Sequence, residues 1–345
     1  GNSIYWMDAD FMWLCSGLSV ADTQRYPVQG LIPGSVYTEV DGTVTVPAGT
    51  SEAELKSNFY NNVTDGYEIV YDETKTIKSV GASQILALGN PVGRVLNYRN
   101  AVFMESSASG FTLTGELEGD VVLTLRAEKG TSNGGSACIY AEIDGEVSEF
   151  AFNVGKDQTI TVATGLTKGN HTIKITKGTD AKYDMIYVYS VQYTGTLTQS
   201  EAADMQIEFI GDSITVGYGL YEADVSLKNA MSGSYYSYAN VAADILKADH
   251  YAIGNGAWRF GENTGAAGDT RYLGYIYEKN SMNLNLGSYD FAWQPDAVVI
   301  NLGTNDANQH TFVGADVEGA TVADIIAANQ EVWSADMAAL LTMVR

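Results

Sequence analysis

Residues 205–215, Met-Gln-Ile-Glu-Phe-Ile-Gly-Asp-Ser-Ile-Thr, constrain the fold more than any other stretch of the chain. Ile207, Phe209 and Ile210 predict a short buried strand, which Gly211 and Asp212 break. Ser213 then stands where a strand gives way to a turn leading into a helix. Side chains at strand ends of α/β sheets point into the crevice where ligands bind. A serine there, beside backbone N–H groups freed by the turn, is a candidate nucleophile. The G-x-S-x-G elbow is excluded, because residue 215 is Thr. Alone, Gly-Asp-Ser is also an ordinary turn.

Two further stretches repeat the pattern. Residues 296–302 (Asp-Ala-Val-Val-Ile-Asn-Leu) predict a second buried strand running into Gly303-Thr304-Asn305-Asp306. Between them, Tyr251-Ala252-Ile253-Gly254-Asn255-Gly256 predicts a third strand-to-glycine junction. Around these strands lie two helical patterns, Ser234–Lys247 and Val322–Val344. The first places Tyr235, Tyr238, Val241, Ala242, Ile245 and Leu246 on one face; the second offers Ile325, Ile326, Val332, Met337, Leu340 and Leu341 to a core. Strands alternating with helices imply a parallel sheet in a three-layer α/β/α domain over residues 196–345.

The preceding region reads differently. Residues 79–195 hold short period-2 strands, including 111–115, 121–125, 137–143, 150–154, 158–163, 171–177 and 185–193. Asp144-Gly145 is a hairpin signal, and Lys168-Gly169-Asn170 and Lys177-Gly178 read as further punctuation. Strands at this spacing predict a β-sandwich of the jelly-roll kind. A polar linker follows at 194–205. Residues 1–78 predict a small β-rich segment, with a strand and capped helix at 44–55 and a strand at 67–71. Phe11-Met12-Trp13-Leu14-Cys15 predicts a strand, not an export signal, because Asp8 and Asp10 stand where a basic region is needed.

Forty-two acidic and nineteen basic residues give a net charge of -23. Nucleic acid and anionic membrane surfaces are therefore excluded as partners, and a neutral polymer such as a polysaccharide suits the surface better. Mean hydropathy near zero and no long apolar run argue against a membrane span. Cys15 and Cys138 have no partner at metal-like spacing, and no metal or cofactor motif is present.

The blocks Gly211-Asp212-Ser213, a glycine at 254 (with Gly256 the alternative) and Gly303-Thr304-Asn305-Asp306 resemble the SGNH (GDSL-type) hydrolase superfamily. A sandwich directly before such a domain resembles carbohydrate esterase family 2, as do Gly93-Arg94, Gly165-Leu166 and Gly169-Asn170-His171-Thr172. The resemblance covers residues 79–345. It implies a secreted or cell-surface bacterial O-acetyl esterase acting on acetylated plant cell-wall polysaccharide. Ser213 would be the nucleophile, and the Ser213 and Gly254 N–H groups with the Asn305 amide the oxyanion hole. Trp258 and Trp293 flank the blocks and are candidates to line the substrate cleft. The family's D-x-x-H block is missing. The sequence therefore predicts a C-terminally incomplete catalytic domain, its histidine beyond residue 345 and little activity in this chain. The alternative base is His310. Rival readings are a lipase- or thioesterase-like SGNH hydrolase and a non-catalytic polysaccharide-binding protein.

Overall fold

A computed structural model describes residues 3–7, 12–16, 30–31, 37–72, 76–132, 136–220, 232–262, 270–309 and 318–344. The N-terminal segment contains a hairpin of β1 (Ser3–Met7) and β2 (Met12–Ser16). It also contains a three-stranded sheet of β3 (Thr38–Val40), β4 (Thr43–Pro47) and β5 (Glu68–Asp72). The helix Glu52–Ser57 joins β4 to β5, which run parallel, and opens on a capping box between Ser51 and Glu54.

The next region is one hydrogen-bonded sheet of nine strands: β6 (Ile77–Gly81), β7 (Asn90–Val92), β8 (Val95–Tyr98), β9 (Ala101–Met104), β10 (Gly110–Lys129), β11 (Ser136–Ile143), β12 (Glu146–Asn153), β13 (Asp157–Lys177) and β14 (Asp184–Thr198). Every pairing in it is antiparallel. Alternate residues such as Leu113, Leu123, Leu125, Ile139, Ile175 and Val188 fill its core. Asp144-Gly145 does turn β11 into β12, with Ile143 opposite Glu146 and positive φ at both turn residues.

Three expectations fail here. The stretches 111–115 and 121–125 are one strand, β10, and 158–163 and 171–177 are one strand, β13. Register shifts between Leu117 and Val122 absorb the irregularity that reads as a break in the sequence. Gly169 pairs with Leu117 inside the sheet. Residues 194–198 are not linker but the end of β14.

The third region has a parallel sheet ordered β16–β15–β17, with β15 (Gln206–Gly211) central between β16 (Asp249–Gly254) and β17 (Ala297–Asn301). Ile207 and Phe209 pack with Ala239, Ala243, Ala248 and Ala252 on one face. Ile210 packs on the other with Tyr251, Ile253, Trp258, Phe260, Trp293 and Leu340. Both predicted helices form, as Tyr238–Leu246 and Val322–Met343, capped by Ser237 and Thr321. The faces differ from expectation. Val241, Ile245 and Leu246 are exposed, while Ala239 and Ala243 are buried, because small residues let the helix lie close on the sheet. On the long helix Leu340 is buried, but Ile326 and Leu341 are exposed.

The nine-stranded sheet and the parallel sheet are locked together. Arg94, from the loop after β7, reaches into the region of the parallel sheet. There it donates to Tyr251 Oη at 2.9 Å, to Glu208 Oε1 at 3.4 Å and to the carbonyls of Tyr277 and Lys279. Its guanidinium stacks 4.2 Å from the centre of the Tyr289 ring. Glu208, buried in β15, also accepts from the hydroxyls of Tyr251 and Tyr277. The outer edge of β16 is covered by Ser107, whose carbonyl accepts the Ala252 N–H at 2.9 Å.

Candidate active site

The three parallel strands end level with one another. Gly211 stands opposite both Gly254 and Asn301. The chain folds back sharply after Gly211: a Cβ there would sit 1.9 Å from Thr215 Oγ1, so the turn that presents Ser213 tolerates only glycine. Asp212 is buried and fixes the turn, accepting the Ile214 N–H at 3.0 Å. Burial, with Asp306 nearby, holds its carboxyl above the usual range. Ser213 itself is half-buried.

Asn305 opens the short helix Thr304–Gln309 after β17. Its Nδ2 donates to Asp212 Oδ2 at 3.1 Å and to the Trp258 carbonyl at 2.8 Å. Asp306 is fully buried and accepts the N–H groups of Phe260 and Gly261. The two aspartates are therefore braces: one holds the Ser213 turn, the other the segment after Gly256. The fold brings Ser213, Asn305 and the glycine junction to one end of the sheet.

The two glycines of that junction differ. Gly254 lies within the sheet, where a Cβ would sit 2.5 Å from the Gly211 carbonyl. Gly256 lies beyond it, and a Cβ there would be 4.0 Å from Ser213 Cβ. Gly256 thus faces the space beside Ser213, and Gly254 packs beneath it.

The tryptophans do not line this space. Trp258 and Trp293 are only 6% and 8% exposed and belong to the core under the sheet, Trp293 packing edge-on against Tyr251. Their large apolar surfaces are satisfied by Phe260, Leu273, Ile276 and Leu340. Tyr218 follows on the same turn; it is 42% exposed and its N–H donates to the Ser213 carbonyl.

The histidines are placed as follows. His171 lies in β13, held by Asp144 Oδ2 at 2.6 Å and the Thr167 carbonyl at 2.7 Å. His250 lies in β16 opposite Ile207, at the end of the sheet away from Ser213. Burial pushes it down to about 3, so it is neutral at physiological pH. His310 lies outside the described residues.

A cavity of about 430 Å³ lies by His250, lined by Tyr140, Tyr235, Lys174 and Asp244. It opens at the opposite end of the strands from Ser213. Among the described residues no cluster of three or more His, Cys, Asp or Glu is arranged to hold a metal, and no helix is long and apolar enough to cross a membrane.

Residues 209–345 match the GDSL-like Lipase/Acylhydrolase family, and residues 92–201 match the Carbohydrate esterase 2 N-terminal family. The chain is 31% identical over 183 residues to the cellulase/esterase CelE of Acetivibrio thermocellus, covering 50% of this chain and 22% of that protein. It is 26% identical over 152 residues to an acetylxylan esterase / glucomannan deacetylase of Cellvibrio japonicus, covering 41% of each. The matched part is thus less than half the length of either relative. A solved family two carbohydrate esterase from Cellvibrio japonicus has the same fold, with a TM-score of 0.61 at 16% identity over 78% of this chain and 76% of that one. The chain therefore combines a match to the GDSL-like Lipase/Acylhydrolase family with a preceding match to the Carbohydrate esterase 2 N-terminal family, and it has the fold of a solved family two carbohydrate esterase.

Proposed function

We propose that the chain is a carbohydrate O-acetyl esterase that works through a serine acyl-enzyme. The observation that carries this is the position of Ser213. It sits at the C-terminal end of the central strand, beside Gly256 and the Asp212–Asn305 pair, in a domain that follows a carbohydrate esterase 2 N-terminal domain. Ser213 Oγ attacks the acetyl carbonyl, and the sugar hydroxyl leaves with a proton. Water then releases acetate from the serine. The tetrahedral oxyanion is met by the N–H of Ser213 and a glycine N–H, which we assign to Gly256, whose long 3.4 Å bond to Asp180 Oδ2 gives way to the oxyanion, in preference to Gly254, which packs beneath the site. The Asn305 amide completes the hole by exchanging its bond to Asp212 for one to the oxyanion. We read the nine-stranded sheet as a jelly-roll sandwich and the two packed faces of the parallel sheet as a three-layer α/β/α unit. The substrate is an acetylated polysaccharide such as xylan, and we place the enzyme outside a bacterial cell, where such a polymer is met.

The base must come from a histidine other than His171 and His250, both of which are held away from Ser213. His310 is the remaining one within these residues. The test compares wild type, Ser213→Ala and His310→Gln on 4-nitrophenyl acetate and on acetylated xylan. With His310 as the base, Ser213→Ala should lower acetate release by about a thousandfold or more, and His310→Gln comparably. Brisk and equal release by wild type and Ser213→Ala would remove the serine mechanism, and release near background in all three would mean that the base is not among these residues.

A further inference from the structure

The loop Thr179–Tyr183, between β13 and β14, belongs to the N-terminal sandwich yet arrives at Ser213. It is tightly held. Lys177 Nζ donates to the Thr179 carbonyl at 2.7 Å and to its hydroxyl at 2.9 Å, and that hydroxyl donates to Asp184 Oδ1 at 2.8 Å. Ser107 Oγ donates to the same Thr179 carbonyl at 3.0 Å. From the catalytic half, Asn283 Nδ2 donates to the Ala181 carbonyl at 2.8 Å, while Glu105 of the sandwich accepts from that same amide nitrogen at 2.7 Å. Within the loop, Asp180 accepts the Lys182 N–H at 2.9 Å and its carbonyl accepts the Tyr183 N–H at 3.0 Å.

Three side chains of this loop reach the candidate site. Asp180, fully buried, directs Oδ2 at the Gly256 N–H at 3.4 Å. Tyr183 stands beside Tyr218. Lys182 is half-buried, and its ammonium flanks the gap over Gly256. A Cβ on residue 256 would lie 3.8 Å from Lys182 Nζ and 4.0 Å from Ser213 Cβ. The ammonium rests 5.8 Å from the centre of the Tyr183 ring, and no ion pair among the described residues claims it.

We infer that Lys182 is a specificity-determining residue: its ammonium binds the free sugar hydroxyl next to the acetylated one, so the sandwich supplies one wall of the catalytic pocket. The inference rests on the esterase reading of Ser213. The chemistry fits. A sugar ring carries hydroxyl oxygens on adjacent carbons, and a lysine offers three donors and no acceptor. An ammonium beside the nucleophile therefore reaches a neighbouring hydroxyl when the acetyl carbonyl sits at Ser213. The loop brings this donor already ordered, which lowers the entropic cost of binding. An aryl acetate has no such hydroxyl.

The test uses the full chain and the variants Lys182→Met and Lys182→Arg on two esters, acetylated xylo-oligosaccharide and 4-nitrophenyl acetate. In Lys182→Met, kcat/KM for the sugar ester should fall at least tenfold further than for the aryl ester, mostly through KM. Lys182→Arg, which keeps the donors, should recover part of the difference. Equal losses on both esters, or no loss, would overturn the inference. If the wild type shows no Ser213-dependent turnover of either ester, this chain does not act as an esterase by itself. Calorimetric binding of xylo-oligosaccharide then decides about Lys182: a tenfold weaker Kd in Lys182→Met sustains the contact, and an unchanged Kd removes it.

Discussion

Two of the cations that the nine-stranded sheet sends toward the parallel sheet, Arg94 and Lys182, are built in opposite ways. The Arg94 guanidinium is buried, with donors spent on Tyr251, Glu208 and two carbonyls and with Tyr277 and Tyr289 stacked against it. Lys182 is half-buried and carries its ammonium beside an open gap. A buried cation with its donors taken up by protein holds two parts together and has little left to recognise anything else. A cation whose supporting loop is rigid but whose donors are free is available to a ligand. One interface therefore contains both a staple and a recognition group, and burial with hydrogen-bond saturation tells them apart.

Removing the staple should have the largest effect. Arg94→Met leaves Glu208 buried in β15 without its cation, a change that costs about 3–5 kcal/mol. Urea unfolding followed by fluorescence should show it as a lower midpoint. Adding Glu208→Gln should return part of the loss, because the uncompensated charge goes with it. A neutral outcome for Arg94→Met would mean that the staple contributes nothing beyond its packing.

Titration separates the two sites further. Asp180, beneath Lys182, is pushed up by burial to about 6. In the unfolded chain it ionises near 3.8, so its contribution to stability is full below about pH 4 and is lost as pH rises through 6. The shift corresponds to roughly 3 kcal/mol. His250 behaves in the other sense: held down to about 3 by burial, its contribution is full above about 6.5 and is lost as pH falls toward 3. Arg94 stays charged throughout and adds no slope. Unfolding free energies measured from pH 3 to 8 should therefore lose the falling component between pH 4 and 6 in Asp180→Asn. A slope unchanged by that substitution would show that Asp180 is not desolvated as described.

The staple and the recognition group also differ in how far the sequence announces them. Ser213 and Asn305 are legible because each follows an apolar strand and a glycine, a local pattern with a local cause. The Asp144-Gly145 hairpin and the Ser51–Glu54 capping box are legible for the same reason. What stays hidden depends on tertiary contacts. Gly169 reads as a turn, but its neighbours in space, on β10, make it part of a 21-residue strand. The helix Tyr238–Leu246 buries alanines, against the rule that the largest apolar residues mark the inner face. Trp258 and Trp293 read as sugar platforms because they flank the motifs, yet the core takes both. Lys182 is 31 residues before Ser213 and on a loop between strands of the other sheet, so no spacing rule connects them. Arg94 is noticed in the sequence only as part of Gly93-Arg94, without the partners that explain it.

The smallest expected effect decides whether the comparison holds. Lys182→Met should change the unfolding free energy by no more than about 0.5 kcal/mol, as at a surface position without a structural task. The loop around it is held by Thr179, Asn283 and the backbone bonds to Asp180, none of which uses the Lys182 ammonium. Methionine keeps the length of the stem and its packing, and removes only the charge and the donors. Stability and selectivity thus become separate readouts of the same substitution. A small stability change together with a large loss on the sugar ester is the signature of a group kept free for substrate. A loss of several kcal/mol, on the scale of Arg94→Met, would show that the ammonium is a second staple, and any change in selectivity would then follow from a displaced loop.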